Sequence, residues 1–130
     1  MTHLEAIDIA AEYMEQKGWY VRHRRWEYDH RNLDMVCIDE DMSTLVFIEI
    51  LNNGCKVSPS LDDMVVTAAM YVRDYHLENI PIRFDRISVN NTSEGSYTIK
   101  HTENTCHIAD PYIFYEQMRD RQRVHDILCG

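Results

Sequence analysis

The chain has 130 residues, 45% hydrophobic and 27% charged, which suffices for one globular domain with its own core and no disulfide staples. Its 22 acidic against 13 basic residues leave a net charge of −9, which disfavours a protein that grips nucleic acid over its whole surface. No apolar run approaches the ~20 residues of a membrane span, and Met1-Thr2-His3-Leu4-Glu5 lacks the basic start of an export signal, so a cytoplasmic protein with no membrane partner is expected.

Thr2 is placed to cap a first helix whose apolar positions Leu4, Ile7, Ala10, Ala11 and Met14 follow helical spacing and end at Gly18. Trp19 to Tyr28 reads as a first strand. It holds the one basic, aromatic stretch of the chain, Arg22-His23-Arg24-Arg25 with Trp26 and Tyr28, followed by His30-Arg31. Two readings compete there. Arg22, Arg24, Arg25 and Arg31 could contact DNA or RNA, or the segment could be a solvated edge strand whose charges discourage aggregation, which composition alone favours. Asn32 to Ile38 is a second strand, Asp39 to Ser43 a polar turn, and Leu45 to Leu51 a third strand, apolar enough to be central. A loop from Asn52 to Lys56 follows. Ser60 caps a second helix with a buried stripe of Leu61, Met64, Val65, Ala68, Val72 and Tyr75. Pro81 precedes a fourth strand, Ile82 to Val89; Asn90 to Gly95 is a turn, and Tyr97 to His101 a fifth strand. Asp110-Pro111 starts a last helix that runs to about Leu128. The four cysteines, Cys37, Cys55, Cys106 and Cys129, form no CxxC pair and read as reduced thiols.

The expected fold is α/β (α+β), in the order α-β-β-β-α-β-β plus a C-terminal helix, with a central mixed sheet flanked by helices. It is read as one domain over 1–130, with a core over 3–106 and the added helix over about 110–128.

Two acids stand out inside apolar strands, Asp34 and Glu49. Burying a polar group costs ~2–7 kcal/mol, and more when charged, unless it is paired or binds a cation. A hairpin would bring the two acids onto neighbouring strands, which is the geometry of a divalent-metal site. The plainer alternatives are a surface ion pair of Asp34 with Arg31 or Arg25, and a buried Glu49 held by Arg83, a tyrosine hydroxyl or a helix N-terminus. His101 and His107 beside Cys106 read as satisfied polar groups near a strand end.

The element order, with an acid on the second strand and another on the third, resembles the PD-(D/E)xK nuclease core, and most closely its YraN-type endonuclease-like family. In that family a helix ending in Tyr-Leu is followed by Lys-Gly-Tyr; here stand Tyr13-Met14 and Lys17-Gly18-Trp19. The family's Gly-Glu-Ile-Asp-Leu-Ile falls on Arg31-Asn32-Leu33-Asp34-Met35-Val36, and its Leu-Val-Phe-Val-Glu-Val-Lys on Leu45-Val46-Phe47-Ile48-Glu49-Ile50-Leu51. Its Arg-Phe-Asp is matched by Arg83-Phe84-Asp85, and its ending by Ile99-Lys100-His101 and Asn104-Thr105-Cys106. The resemblance implies a restriction-endonuclease-like core over roughly 3–106. It also implies Mg²⁺-dependent attack of water on a phosphodiester, with Asp34 and Glu49 as metal ligands and the Ile50 carbonyl as a further one.

Departures from the pattern weaken that activity. The family's glutamate on the first helix is replaced by Ile7, the glutamate paired with the strand-two aspartate by Asn32, and the lysine by Leu51. A lysine there contributes general-base and electrostatic help worth ~10²–10⁴ in rate, and Leu51 can supply neither. Lys56, on the following loop, is the nearby residue able to replace it. The resemblance therefore implies a diverged endonuclease-like protein, associated with nucleic acid, with Mg²⁺ binding weak and hydrolysis weakened or lost. The alternative is a non-catalytic module whose former DNA face or C-terminal helix binds a protein partner or a second copy.

Overall fold

The computed structural model describes residues 1–53 and 61–106. Lys56, Ser60, His107, Cys55, Cys129 and the helix expected over 110–128 lie outside those residues.

Helix α1 (His3–Gln16) starts at an extended Thr2, whose Oγ1 accepts from the Glu5 N–H at 3.1 Å. That bond satisfies one of the amides a helix start leaves open. At the other end Gly18, at φ 89°, closes the helix: its N–H donates to the Glu15 carbonyl, and the Trp19 N–H reaches back to Met14, both at 3.0 Å. A Cβ on Gly18 would meet nothing within 4 Å, so only the left-handed backbone opposes a side chain there. Gly18→Ala is expected to destabilise the fold by about 1 kcal/mol in a urea titration.

Five strands form one sheet in the order β1 (Tyr20–Tyr28), β2 (Arg31–Ile38), β3 (Leu45–Asn52), β4 (Ile82–Asn91), β5 (Tyr97–Cys106). All neighbours are antiparallel except β3 and β4, which are parallel and joined through helix α2 (Leu61–Asp74). Asp29 and His30, at φ 46° and 64°, form the two-residue hairpin between β1 and β2, with both central residues left-handed as a primed turn requires. The β2–β3 turn is built by Asp39, whose Oδ1 accepts from the Ser43 and Thr44 amides at 2.9 and 3.1 Å.

The core lies on both faces of the sheet. On one face, Leu33, Val36, Leu45, Phe47, Ile82 and Phe84 pack under Met64, Ala68, Tyr71 and Val72 of α2. On the other, Met35, Cys37, Val46, Ile48, Ile50, Ile87 and Val89 pack under Ala6, Ile7, Ala10, Ala11 and Met14 of α1. β3 is buried on both sides from Leu45 to Ile50, which explains its unbroken apolar run.

Three details differ from expectation. Leu4 and Tyr75, assigned to buried stripes, are 49% and 38% exposed. Leu4 sits in the first turn of α1, and Tyr75 follows the last residue of α2. Strands β4 and β5 also run on to Asn91 and Cys106. The polar end of β5 stays paired because its register shifts opposite Phe84 and Arg86, with Asn104 at φ 56°. Such a bulge hides the alternation that marks a strand in sequence.

Candidate functional site

The β2–β3 ladder runs from Ile38↔Leu45 to Met35↔Ile48 and stops where the next pair would set Asp34 against Glu49. Leu33 packs towards α2 and Met35 towards α1, so the alternation of β2 breaks across Asp34. The freed backbone is satisfied by the side chain instead: Asp34 Oδ2 accepts from the Ile50 N–H at 2.9 Å. Asp34 Oδ1 lies 2.9 Å from His3 Nε2, which therefore carries the proton and donates. The carboxylate thus ties the first turn of α1 to β3.

Glu49 follows Phe47 on the α2 face, with Leu51 next along it. Both acids are buried. Across the parallel pair, Glu49 is in register with Arg86, whose Nε lies 3.7 Å from Glu49 Oε1. The strands therefore place the two acids at the point where β2 and β3 part, as neighbours on adjacent strands. Among the described residues, Asp34 bonds α1 and the β3 backbone, and Glu49 lies beside Arg86. Asp34 is buried and bonds His3 and the Ile50 amide, while Arg83 bonds Asp85 and Arg86 stands beside Glu49.

Ile7 is buried in the α1 core. Asn32 pairs with Glu27 near the hairpin tip and lines a cleft of about 350 Å³ with Tyr28, His30 and Arg31. Leu51 is half-buried opposite Ser88.

The basic stretch of β1 divides between the faces. Arg22 Nε donates to the Tyr71 hydroxyl at 2.9 Å, and its guanidinium lies 5.3 Å from the Tyr75 ring centre. Since Tyr71 accepts from Arg22, it donates to His23 Nδ1 at 2.7 Å. Burial pushes the Tyr71 hydroxyl up to about 12 against the pull of Arg22. Burial, and then the charge of Arg22, lowers His23 below its ordinary value, consistent with a neutral ring accepting that proton. Arg24 turns to α1 and bonds Asp8 at 3.1 Å and Glu15 at 3.3 Å, while Arg25 lies 3.6 Å from Glu27.

Among the described residues the tightest group of potential metal ligands is elsewhere: Asp85, His101 and Glu103, with ligand atoms within 4.8 Å of one another. Its chemistry is that of an anchor. Asp85 Oδ1 accepts from Arg83 Nε at 2.9 Å and the Asn104 N–H at 3.1 Å; Oδ2 accepts from Arg83 Nη2 at 2.9 Å and His101 Nε2 at 2.7 Å. A cation would have to displace Arg83. Trp19 completes the cluster, with the Arg83 guanidinium 5.4 Å from its ring and His101 edge-on at 5.5 Å. Burial alone would raise the Asp85 pKa, but the bonds from His101, Arg83 and Asn104 outweigh it and hold the carboxyl below its ordinary range.

Sequence reasoning missed His3, Arg86 and Asp85 as members of these sites. Nothing marks a histidine in a first helical turn as a partner of residue 34. Arg86 had one signal, a charge on the same alternation as the core residues Ile82 and Phe84, and Asp85 was visible only as part of Arg83-Phe84-Asp85.

Residues 6–89, more than half of the chain, match the family described as Uncharacterised protein family UPF0102. A UPF0102 protein of Porphyromonas gingivalis is 30% identical over 105 residues, which cover 75% of this chain and 77% of that one. The chain belongs to the UPF0102 family. A UPF0102 protein of Bacteroides thetaiotaomicron is similar at 28% over 101 residues, covering 72% of this chain and 82% of its own. One of Parabacteroides distasonis is 26% identical over 107 residues, covering 77% and 87%. UPF0102 is a PD-(D/E)xK nuclease-like family, and the mixed five-stranded sheet with its two helices agrees with a restriction-endonuclease-like core. The UPF0102 match runs from α1 to β4 and so spans Ile7, Asn32, Asp34, Glu49, Leu51 and Arg86. No helix among the described residues is long and apolar enough to cross a membrane.

Proposed function

We propose that this UPF0102 chain is a diverged endonuclease-like protein that associates with nucleic acid and has little or no metal-dependent phosphodiester hydrolysis. The observation that carries this reading is the donor set where β2 and β3 part. A Mg²⁺ site needs several hard oxygen ligands around a cation that keeps its waters. Here Asp34 accepts from the Ile50 amide and His3 Nε2, a guanidinium stands beside Glu49, and Leu51 takes the place of a lysine. These residues do not fit a divalent cation, and Leu51 cannot activate water.

Association draws support from the β1–α2 side. Arg22 lies over the Tyr75 ring, Arg73 over Tyr28, and Arg31 lines the cleft at the hairpin. Cations beside partly exposed aromatic rings suit a phosphate backbone with accessible bases. The non-catalytic interaction module keeps one observation in its favour: Arg24 and Arg25 are engaged with Asp8, Glu15 and Glu27, on a chain of net charge −9.

A gel assay separates the readings. With Mg²⁺ or Mn²⁺ on single-stranded and branched DNA, the wild type is expected to shift DNA at ~50 mM salt, where phosphate contacts are strongest, and to leave it uncut. Cleavage that disappears in Glu49→Gln would overturn the loss of hydrolysis. Absence of any shift at that salt would favour the interaction module.

A further inference from the structure

We propose that Arg86 replaces the divalent cation of the nuclease site, giving Glu49 a built-in positive partner and offering a phosphodiester a guanidinium in place of a metal ion. Arg86 lies on β4, an inner strand whose other α2-facing residues near it, Ile82 and Phe84, are core. It stands directly across the parallel pair from Glu49 and therefore on the same face as Glu49 and Leu51. The positive charge absent at 51 thus reappears one strand away.

Three features of Arg86 suit this role. Its Nε is buried 3.7 Å from Glu49 Oε1, close enough to neutralise the carboxylate yet beyond hydrogen-bond range. Buried donors left without a partner are rare in folded proteins and ask for a ligand or an ion to explain them. The side chain as a whole is 42% exposed, so the guanidinium reaches solvent. Arginine offers five N–H donors in a planar fork suited to phosphate oxygens and stays protonated at any physiological pH. It can hold a phosphodiester and cannot take a proton from water. Binding without cutting follows from that chemistry.

The phosphate half of this inference rests on the proposed association with nucleic acid; the replacement of the metal does not. Anisotropy of a labelled single-stranded oligonucleotide, read in EDTA and in Mn²⁺, tests both with wild type, Arg86→Gln and Arg86→Lys. Wild-type binding is expected to be the same in EDTA and Mn²⁺, Arg86→Gln to bind about tenfold more weakly, and Arg86→Lys, which keeps the charge but not the fork, to fall between the two. Wild-type binding that needs Mn²⁺, or an Arg86→Gln variant that binds as the wild type does, would overturn it. Thermal melts with and without Mn²⁺ decide the metal half even if no oligonucleotide binds, an outcome that removes the nucleic-acid reading itself. Stabilisation of Arg86→Gln but not of wild type or Arg86→Lys supports a guanidinium in the metal's place; stabilisation of wild type, or of none of the three, overturns it.

Discussion

Asp85→Ala is expected to lower folding stability by about 3–5 kcal/mol, the cost of breaking a buried charge network by removing one partner. Asp85 is fully buried and accepts four hydrogen bonds, two from Arg83, one from His101 and one from the Asn104 amide. Alanine would strand the Arg83 guanidinium against Trp19 and leave the bulge of β5 without its anchor. Urea titration of wild type and variant measures the difference. A loss under 1 kcal/mol would show the network to be incidental. The pH dependence has a definite sign. The folded carboxyl sits below its ordinary value of 3.8, so its stabilisation is fully present above that pH and is lost as pH falls through the lower folded value. The wild type should therefore lose stability towards acid more steeply below about pH 4 than Asp85→Ala does.

Asp34→Ala is expected to cost about 2–3 kcal/mol, most of it from leaving the buried Ile50 N–H without an acceptor. The tie between His3 and β3 is lost with it. Asp34→Asn should cost less than about 1 kcal/mol, because the amide oxygen can still accept from Ile50 while its NH₂ donates to His3 in the other tautomer. A metal ligand would behave differently. Both substitutions would then remove any Mn²⁺-dependent melting shift, and their stabilities without metal would barely differ. Thermal or urea unfolding with and without Mn²⁺ tells the two cases apart.

Much of the fold was legible because its signals are local. The cap at Thr2, the stop at Gly18, the period of α1 and the unbroken apolar run of β3 each depend on a few neighbouring residues. The end of β5 was not legible, since its pairing relies on Asp85, nearly twenty residues away in sequence, holding the Asn104 amide. The site divides in the same way. Asp34 and Glu49 could be placed on adjacent strands from periodicity and one turn. Their partners could not, because His3 and Arg86 reach them only through the packing of α1 and the parallel register of β3 with β4. The basic stretch shows the opposite error: arginines that look continuous in sequence are divided, because Arg31 already belongs to β2 and the register shift between Val21 and His23 sends Arg22 to α2 and Arg24 to α1.

Strands β1 and β5 are the outer strands of the described sheet, and neither is straight. β1 shifts register between Val21 and His23 and passes Arg25 through φ 52°; β5 buckles at Asn104. A second chain that extends a sheet needs a flat, regular row of amides to zip onto. Both rims interrupt that row at a residue whose backbone would have to flip first. Copies of this chain are therefore not expected to join through either of these rims.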